Sequence, residues 1–294
     1  MSRMFMSLTP GAIGIRASLV EGLDLAKAAG FGGLDLPMGE VAGLVESESA
    51  AHVKGLFEEA GLRMGGWNLA VAWRAEEAEY KESLAGLPRL AAIGHALGAT
   101  RLSTWVPPAS DDLAFGENFE FHVNRFRPIA EVLAEHGCRL GLEFIGPATS
   151  RAKAGHAFIH TMAGMLELCD AIGTGNVGLL LDSWHWYTSG GTLEELGKLT
   201  ADQVVRVHIN DAPKGLPLGA HIDSERALPG ATGVIDLAGF LRQLDAIGYA
   251  GPVSPEPCKG KPEGVCPLAA ARMTAEGLLR VWEAAGLSPT LSRT

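Results

Sequence analysis

Eight short apolar runs alternate with helix-length segments along the whole chain: LTPGAIGI (8–15), GGLDLPM (32–38), LRMGGWNLAV (62–71), TRLSTWVP (100–107), CRLGLEFIGP (138–147), NVGLLLDSW (176–184), QVVRVHIND (203–211) and GPVSPEP (251–257). The intervening segments, among them ASLVEGLDLAKAAG, EFHVNRFRPIAEVLAEHG and HAFIHTMAGMLELCDAIG, carry apolar residues at helical spacing and end at glycine. Strict alternation of strand and helix implies a parallel sheet, and eight repeats imply an α/β fold of the (β/α)8 barrel type, a single domain over residues 1–294. An open doubly wound sheet would carry a glycine-rich fingerprint after its first strand, and none is visible. In AEHGCRLGLEF and DAIGYAGPVSPEP a helix ends at glycine and a strand follows within a few residues, the short joint expected at the bottom of a barrel. The longest irregular segment, about 212–235, follows the seventh strand. A Pro- and Gly-rich loop of that length in a compact domain is expected to be functional.

Composition narrows the function classes. A hydrophobic content of 47% guarantees a sizeable core, and a formal charge of −10 argues against a nucleic-acid or acidic-membrane partner, which needs a positive field. Four cysteines without a CxxC pair suit a reducing cytoplasm. No run approaches the roughly 20 apolar residues of a membrane span. A soluble enzyme or binder of a small polar ligand is the expectation.

Four strands end in groups that bind metals: Glu143 in LGLEF, Asp182 in LLLDSWHW, His208 in VRVHIND and Glu256 in VSPEP. Strand carboxyl ends converge on one mouth of a barrel, where active sites are built. One such Glu alone is ordinarily a solvated or salt-bridged carboxylate, and a lone buried His is ordinarily a structural group. Four on consecutive strands at matching depth are hard to obtain by accident. Three crowded carboxylates repel one another unless a cation neutralises them. With one imidazole they form an oxygen/nitrogen site suited to Mn²⁺, Co²⁺ or Mg²⁺ more than to a sulfur-loving ion, and they leave room for two substrate oxygens. His185, three residues beyond Asp182, is placed to face the substrate. Trp67, Trp73, Trp105, Trp184 and Trp186 also follow strands and can wall a sugar site, although core packing accounts for them about as well. Lys153 and Arg151 after the fifth strand are further substrate contacts to consider. Blander roles suit Cys258, a packing or rim thiol, and His156 and His160, expected at i, i+4 on a helix start.

These segments, with the loop RALPGATGVID, resemble the xylose-isomerase-like TIM-barrel family of sugar isomerases and epimerases across essentially the whole chain. The resemblance implies that Glu143, Asp182, His208 and Glu256 hold one divalent cation, Mn²⁺ first, with Co²⁺, Mg²⁺ or Zn²⁺ as alternatives. It also implies that His185 contacts substrate, together with an Arg after the seventh strand. Arg226 is the candidate, with Lys214 nearer the strand. Trp105, Trp67 and Trp184 complete the expected substrate-binding set. The implied reaction is proton transfer beside a carbonyl of a ketose or related keto sugar through a cis-enediolate, with Glu143 and Glu256 as base and acid. Inversion at one carbon gives an epimerase, and reprotonation at the neighbour gives an isomerase. A lyase or dehydratase on the same scaffold is the alternative, and a non-catalytic sugar binder is a more distant one. DNA-repair relatives of this barrel use extra histidines where this chain has Trp67-Asn68 and Trp105. Only scattered Lys259, Lys261 and Arg226 stand in the late loops, which favours an unphosphorylated, small sugar-like substrate. Tryptophans around the mouth would suit a homodimer.

Overall fold

The computed structural model describes residues 4–257 and 264–288. Eight parallel strands line the interior: β1 (Phe5–Leu8), β2 (Gly33–Leu34), β3 in two pieces (Arg63–Met64 and Trp67–Asn68), β4 (Arg101–Val106), β5 (Arg139–Phe144), β6 (Val177–Asp182), β7 (Val204–Ile209) and β8 (Pro252–Pro255). Neighbours pair in register from Phe5↔Pro252 round to Trp67↔Leu102. The first piece of β3 pairs with β2 and the second with β4, so the sheet closes on itself. The (β/α)8 barrel read from the sequence is therefore present.

Closure at β3 depends on two glycines. A Cβ on Gly65 would stand 2.0 Å from Asp35 Oδ1, and one on Gly66 would stand 2.3 Å from Arg206 Nε. Only a residue without a side chain lets the backbone pass so near the polar interior. Outside the sheet, helices follow local rules. Leu19–Ala29 starts in a capping box, in which the Glu21 carboxylate accepts from Ser18 N at 2.8 Å, and stops at Gly30 with φ 87°. Leu19, Leu23 and Ala26 face the core at the spacing of one helical stripe.

Three expectations are corrected. The first strand is Phe5–Leu8, upstream of most of the apolar run read from residue 8, because Pro10 and its glycines wind Pro10–Ile13 into a 3₁₀ turn. The 156–173 segment is not all helix: His156–Ala157 pairs with Ala109–Ser110 in a small antiparallel ribbon, and the helix runs Met162–Ile172. His156 and His160 therefore share no helix face. Two short helices, Ser183–Thr188 and Leu193–Leu196, and a 3₁₀ turn, Ala201–Gln203, follow β6 in place of a full helix, and between the two helices the backbone at Gly191 packs directly on the Trp186 ring. No helix among the described residues is long and apolar enough to cross a membrane.

Candidate metal centre

Side chains alternate across a strand, so residues two apart share the barrel interior. On β7 these are Arg206 and, one step nearer the mouth, His208. Trp105 pairs in register with Glu143, and His208 with both Asp182 and Ser254. Glu256 follows β8 directly, and its N–H donates to the Asn210 side-chain oxygen at 2.8 Å. This common depth brings one ligand atom each from Glu143, Asp182, His208 and Glu256 within 4.8 Å of one another. His208 Nδ1 lies 3.6 Å from Glu143 Oε1, 4.0 Å from Asp182 Oδ2 and 3.2 Å from Glu256 Oε2. Donors facing across a six-coordinate ion with bonds of about 2.1 Å stand about 4.2 Å apart, so the spacing fits one cation.

The wiring of the cluster supports that fit. Glu143 Oε1 and His208 Nδ1 are buried without any hydrogen-bond partner. Both are aimed at the shared centre, the arrangement expected of ligand atoms rather than of a self-satisfied network. Burial, reinforced by Glu256 and Asp182 and only partly offset by His208, pushes the Glu143 carboxyl up to about 7. Burial also raises Asp182, although Arg226 pulls the other way. For His208 burial disfavours the charge, but Glu256 and Glu143 outweigh it and push the imidazole up to about 10. Glu256 is half-buried, which opposes its charge, and His208 and Arg226 nevertheless hold it well below the usual carboxylate range. The pocket is one in which positive charge is strongly favoured.

A cavity of about 390 Å³ opens above the cluster, lined by Glu143, His185, Arg226 and Glu256 with Trp105 and Lys153 toward the rim. His185 is fully buried, and burial together with the nearby Arg226 drives its imidazole well below its ordinary value, so it is neutral. Arg226, not the exposed Lys214, reaches the cluster from the long loop. Arg151 does not line this cavity.

Two of the expected tryptophan contacts are corrected. The Trp67 indole is buried in the barrel wall and donates from Nε1 to Ala99 O at 2.8 Å, and the residue borders a separate cavity of about 350 Å³ with Thr9, Asp35 and Asn68. Trp184 lies fully buried behind Arg226, edge-on to the His221 ring at 5.2 Å. Trp73 and Trp186 are likewise core residues, and Trp105, 42% exposed, is the tryptophan at the rim. Cys258, Lys259 and Lys261 lie outside the described residues.

Sequence reasoning missed Asn210 and Asp211. Asn210 Nδ2 donates to Asp182 Oδ2 at 3.1 Å while its Oδ1 holds the Glu256 backbone, which couples two residues of the cluster. Asp211 accepts from the backbone N–H groups of Thr232, Gly233, Val234 and Ile235, closing the base of the loop that delivers Arg226. Their signal was present in VHIND, two and three residues beyond His208, where a polar pair continues past the end of an apolar strand.

The fold agrees with that of known proteins. A xylose isomerase domain protein from Alicyclobacillus acidocaldarius superposes with a TM-score of 0.84 at 31% identity, over 96% of this chain and 99% of that one. The IolI protein, solved with a bound zinc atom, superposes with a TM-score of 0.75 at 20% identity, over 95% of this chain and 98% of that one. An inosose isomerase of Halalkalibacterium halodurans is 24% identical over 242 residues, 82% of this chain and 83% of that protein. The model of the xylose isomerase-like TIM barrel matches residues 23–279. With the closed barrel and the cluster at its mouth, that match over most of the sequence makes the chain a member of the xylose isomerase-like TIM-barrel family.

Proposed function

We propose that this protein is a divalent-metal-dependent isomerase or epimerase of a ketose or related keto sugar. The observation that carries the reading is the pair of buried atoms that make no hydrogen bond, Glu143 Oε1 and His208 Nδ1, converging with Asp182 and Glu256 beneath a cavity of sugar-accommodating size. Glu143, Asp182, His208 and Glu256 would hold the ion. Mn²⁺ is the first choice for this oxygen-rich set, and the zinc in the IolI protein makes Zn²⁺ its main competitor. When bound, the ion supplies a Lewis acid for adjacent substrate oxygens.

The chain's own groups then move the proton. Glu143 on β5 and Glu256 after β8 approach the cavity from strands three apart around the barrel. One carboxylate takes the proton from the carbon beside the carbonyl, giving an enediolate, and the other returns a proton. Return to the opposite face of the same carbon inverts it, and return to the neighbouring carbon moves the carbonyl. Neutral His185 and the Arg226 guanidinium orient substrate oxygens, and Trp105 covers an apolar sugar face at the rim. The same reading places the enzyme in a reducing cytoplasm, in keeping with the free thiols Cys138, Cys169 and Cys266.

The test is incubation of the Mn²⁺-loaded protein with a panel of ketoses and inososes in D₂O. Product of conserved mass carrying one deuterium on carbon next to the carbonyl supports the proposal. Loss of water from the product would assign a dehydratase instead. Absence of any exchange across the panel, with metal held, would favour a binding protein.

A further inference from the structure

The Arg226 guanidinium is almost completely buried and its fork is divided between two tasks. Nη1 donates to Asp182 Oδ2 at 3.0 Å and to Glu256 Oε2 at 2.9 Å. These are the same two oxygens that face His208 Nδ1 across the cluster. Nη2 donates to Asp223 Oδ1 at 2.9 Å and stands 3.1 Å from His185 Nε2. On the far side of that imidazole the Gly146 N–H donates to Nδ1 at 3.2 Å. Gly146 cannot shift easily, since a Cβ there would lie 2.2 Å from the His185 carbonyl oxygen. A neutral imidazole carries one N–H. With Nδ1 accepting from Gly146, the proton belongs on Nε2, where it meets Arg226 donor to donor. The guanidinium therefore has strong partners in the carboxylates and a poor one in His185.

We propose that Arg226 competes with the divalent cation for Asp182 and Glu256. The guanidinium neutralises the two carboxylates in the metal-free protein. Entry of the ion weakens that pairing through like-charge repulsion and frees both Arg226 and the His185 Nε2–H for the substrate. Metal binding thereby precedes and prepares substrate binding. The inference rests on the metal-centre reading above and adds to it a residue that sets metal affinity without ligating the metal.

Mn²⁺ alone is the probe, with its dissociation constant measured by competition against a fluorescent chelator for wild type, Arg226→Met and Arg226→Lys. Removing a buried positive charge beside the ion should tighten Mn²⁺ binding about tenfold or more in Arg226→Met, with Arg226→Lys in between. The metal-free Arg226→Met protein should melt below wild type, and saturating Mn²⁺ should narrow or reverse that gap. Mn²⁺ binding in Arg226→Met that is equal to wild type, or weaker, overturns the proposal while leaving the metal centre intact. No Mn²⁺ bound by either protein overturns the metal centre and the proposal together. If Arg226→Met does not fold, the arginine side-chain resonances of wild type decide. Slowly exchanging Nη protons of Arg226 should be lost on titration with Mg²⁺, and their persistence at saturation overturns the competition.

Discussion

Two layers of buried charge are stacked inside one barrel, two residues apart along β7, and they are wired in opposite ways. In the lower layer Arg206 Nη2 donates to Asp35 Oδ2 at 2.7 Å. Ser7, Thr9, Ser254 and the Gly66 N–H also donate to that carboxylate, while Arg206 Nη1 donates to Ser103 Oγ and Trp67 O. Only Arg206 Nε lacks a partner, and it lies against Gly66. In the upper layer three carboxylates share one imidazole and one guanidinium, and Glu143 Oε1 and His208 Nδ1 make no hydrogen bond. The lower pair is hydrogen-bonded at every polar atom but one and holds a shape, whereas the upper cluster turns atoms of two different residues, neither hydrogen-bonded, toward one shared centre. The lower layer is wired as structure, and the upper layer carries the proposed site.

Substitutions should separate the two layers. The largest effect is expected from Glu143→Gln or Glu256→Gln. Initial rates should fall by about 10²–10⁴ in both through loss of the acid–base group. Glu256→Gln, which also removes the counter-charge of His208 and Arg226, should lose stability in urea, whereas metal-free Glu143→Gln should show unchanged or raised stability because like-charge repulsion is relieved. Asp35→Asn should do the reverse. Leaving Arg206 buried without its counter-charge should cost about 3–5 kcal/mol in the same unfolding assay, and a loss under 1 kcal/mol would erase the distinction between the layers.

Asp35 also gives the comparison a pH signature. Burial alone would raise its carboxyl, but Arg206 and the donors from Thr9, Gly66 and Ser7 outweigh burial and hold it below its ordinary value. The stabilisation is therefore complete above the unfolded value near 4 and is lost as pH falls through the lower folded value. Acid titration of stability should be steeper in wild type than in Asp35→Asn across that window.

Chelation sharpens the contrast from the other side. Stripping metal from protein held at about 100 times its dissociation constant should remove about 2.7 kcal/mol of stability, seen as a lower melting temperature. A His208→Gln protein should show no such drop. The smallest effect belongs to the rim: Trp105→Ala should raise KM severalfold, about 1 kcal/mol, without altering the melting temperature. Trp67→Ala, in the wall, should instead destabilise the fold.

Much of this was legible in the chain because period-two burial and strand-end chemistry are local signals. Glu143, Asp182, His208 and Glu256 each close an apolar run, and the barrel brings such ends together whatever the helices do. The lower layer was not legible, since Asp35 sits in GGLDLPM and Arg206 in VVRVHIND with nothing local to pair them across 171 residues. Tryptophan roles failed for a related reason. Following a strand does not say whether a ring turns into the mouth or into the wall, and a Trp67 indole seated against Ala99 O and Gly94 is decided by tertiary packing. The first strand was misplaced because Pro10 and its glycines extend an apolar run past the point where the backbone can stay in a sheet.

The most direct test of the central claim is metal stoichiometry by plasma mass spectrometry, after loading with Mn²⁺ and removing the excess, on wild type and Glu256→Gln. About one ion per chain in wild type, lost or loosened in the variant, is the predicted result. No retained ion in either protein would contradict the assignment of Glu143, Asp182, His208 and Glu256 as a metal centre.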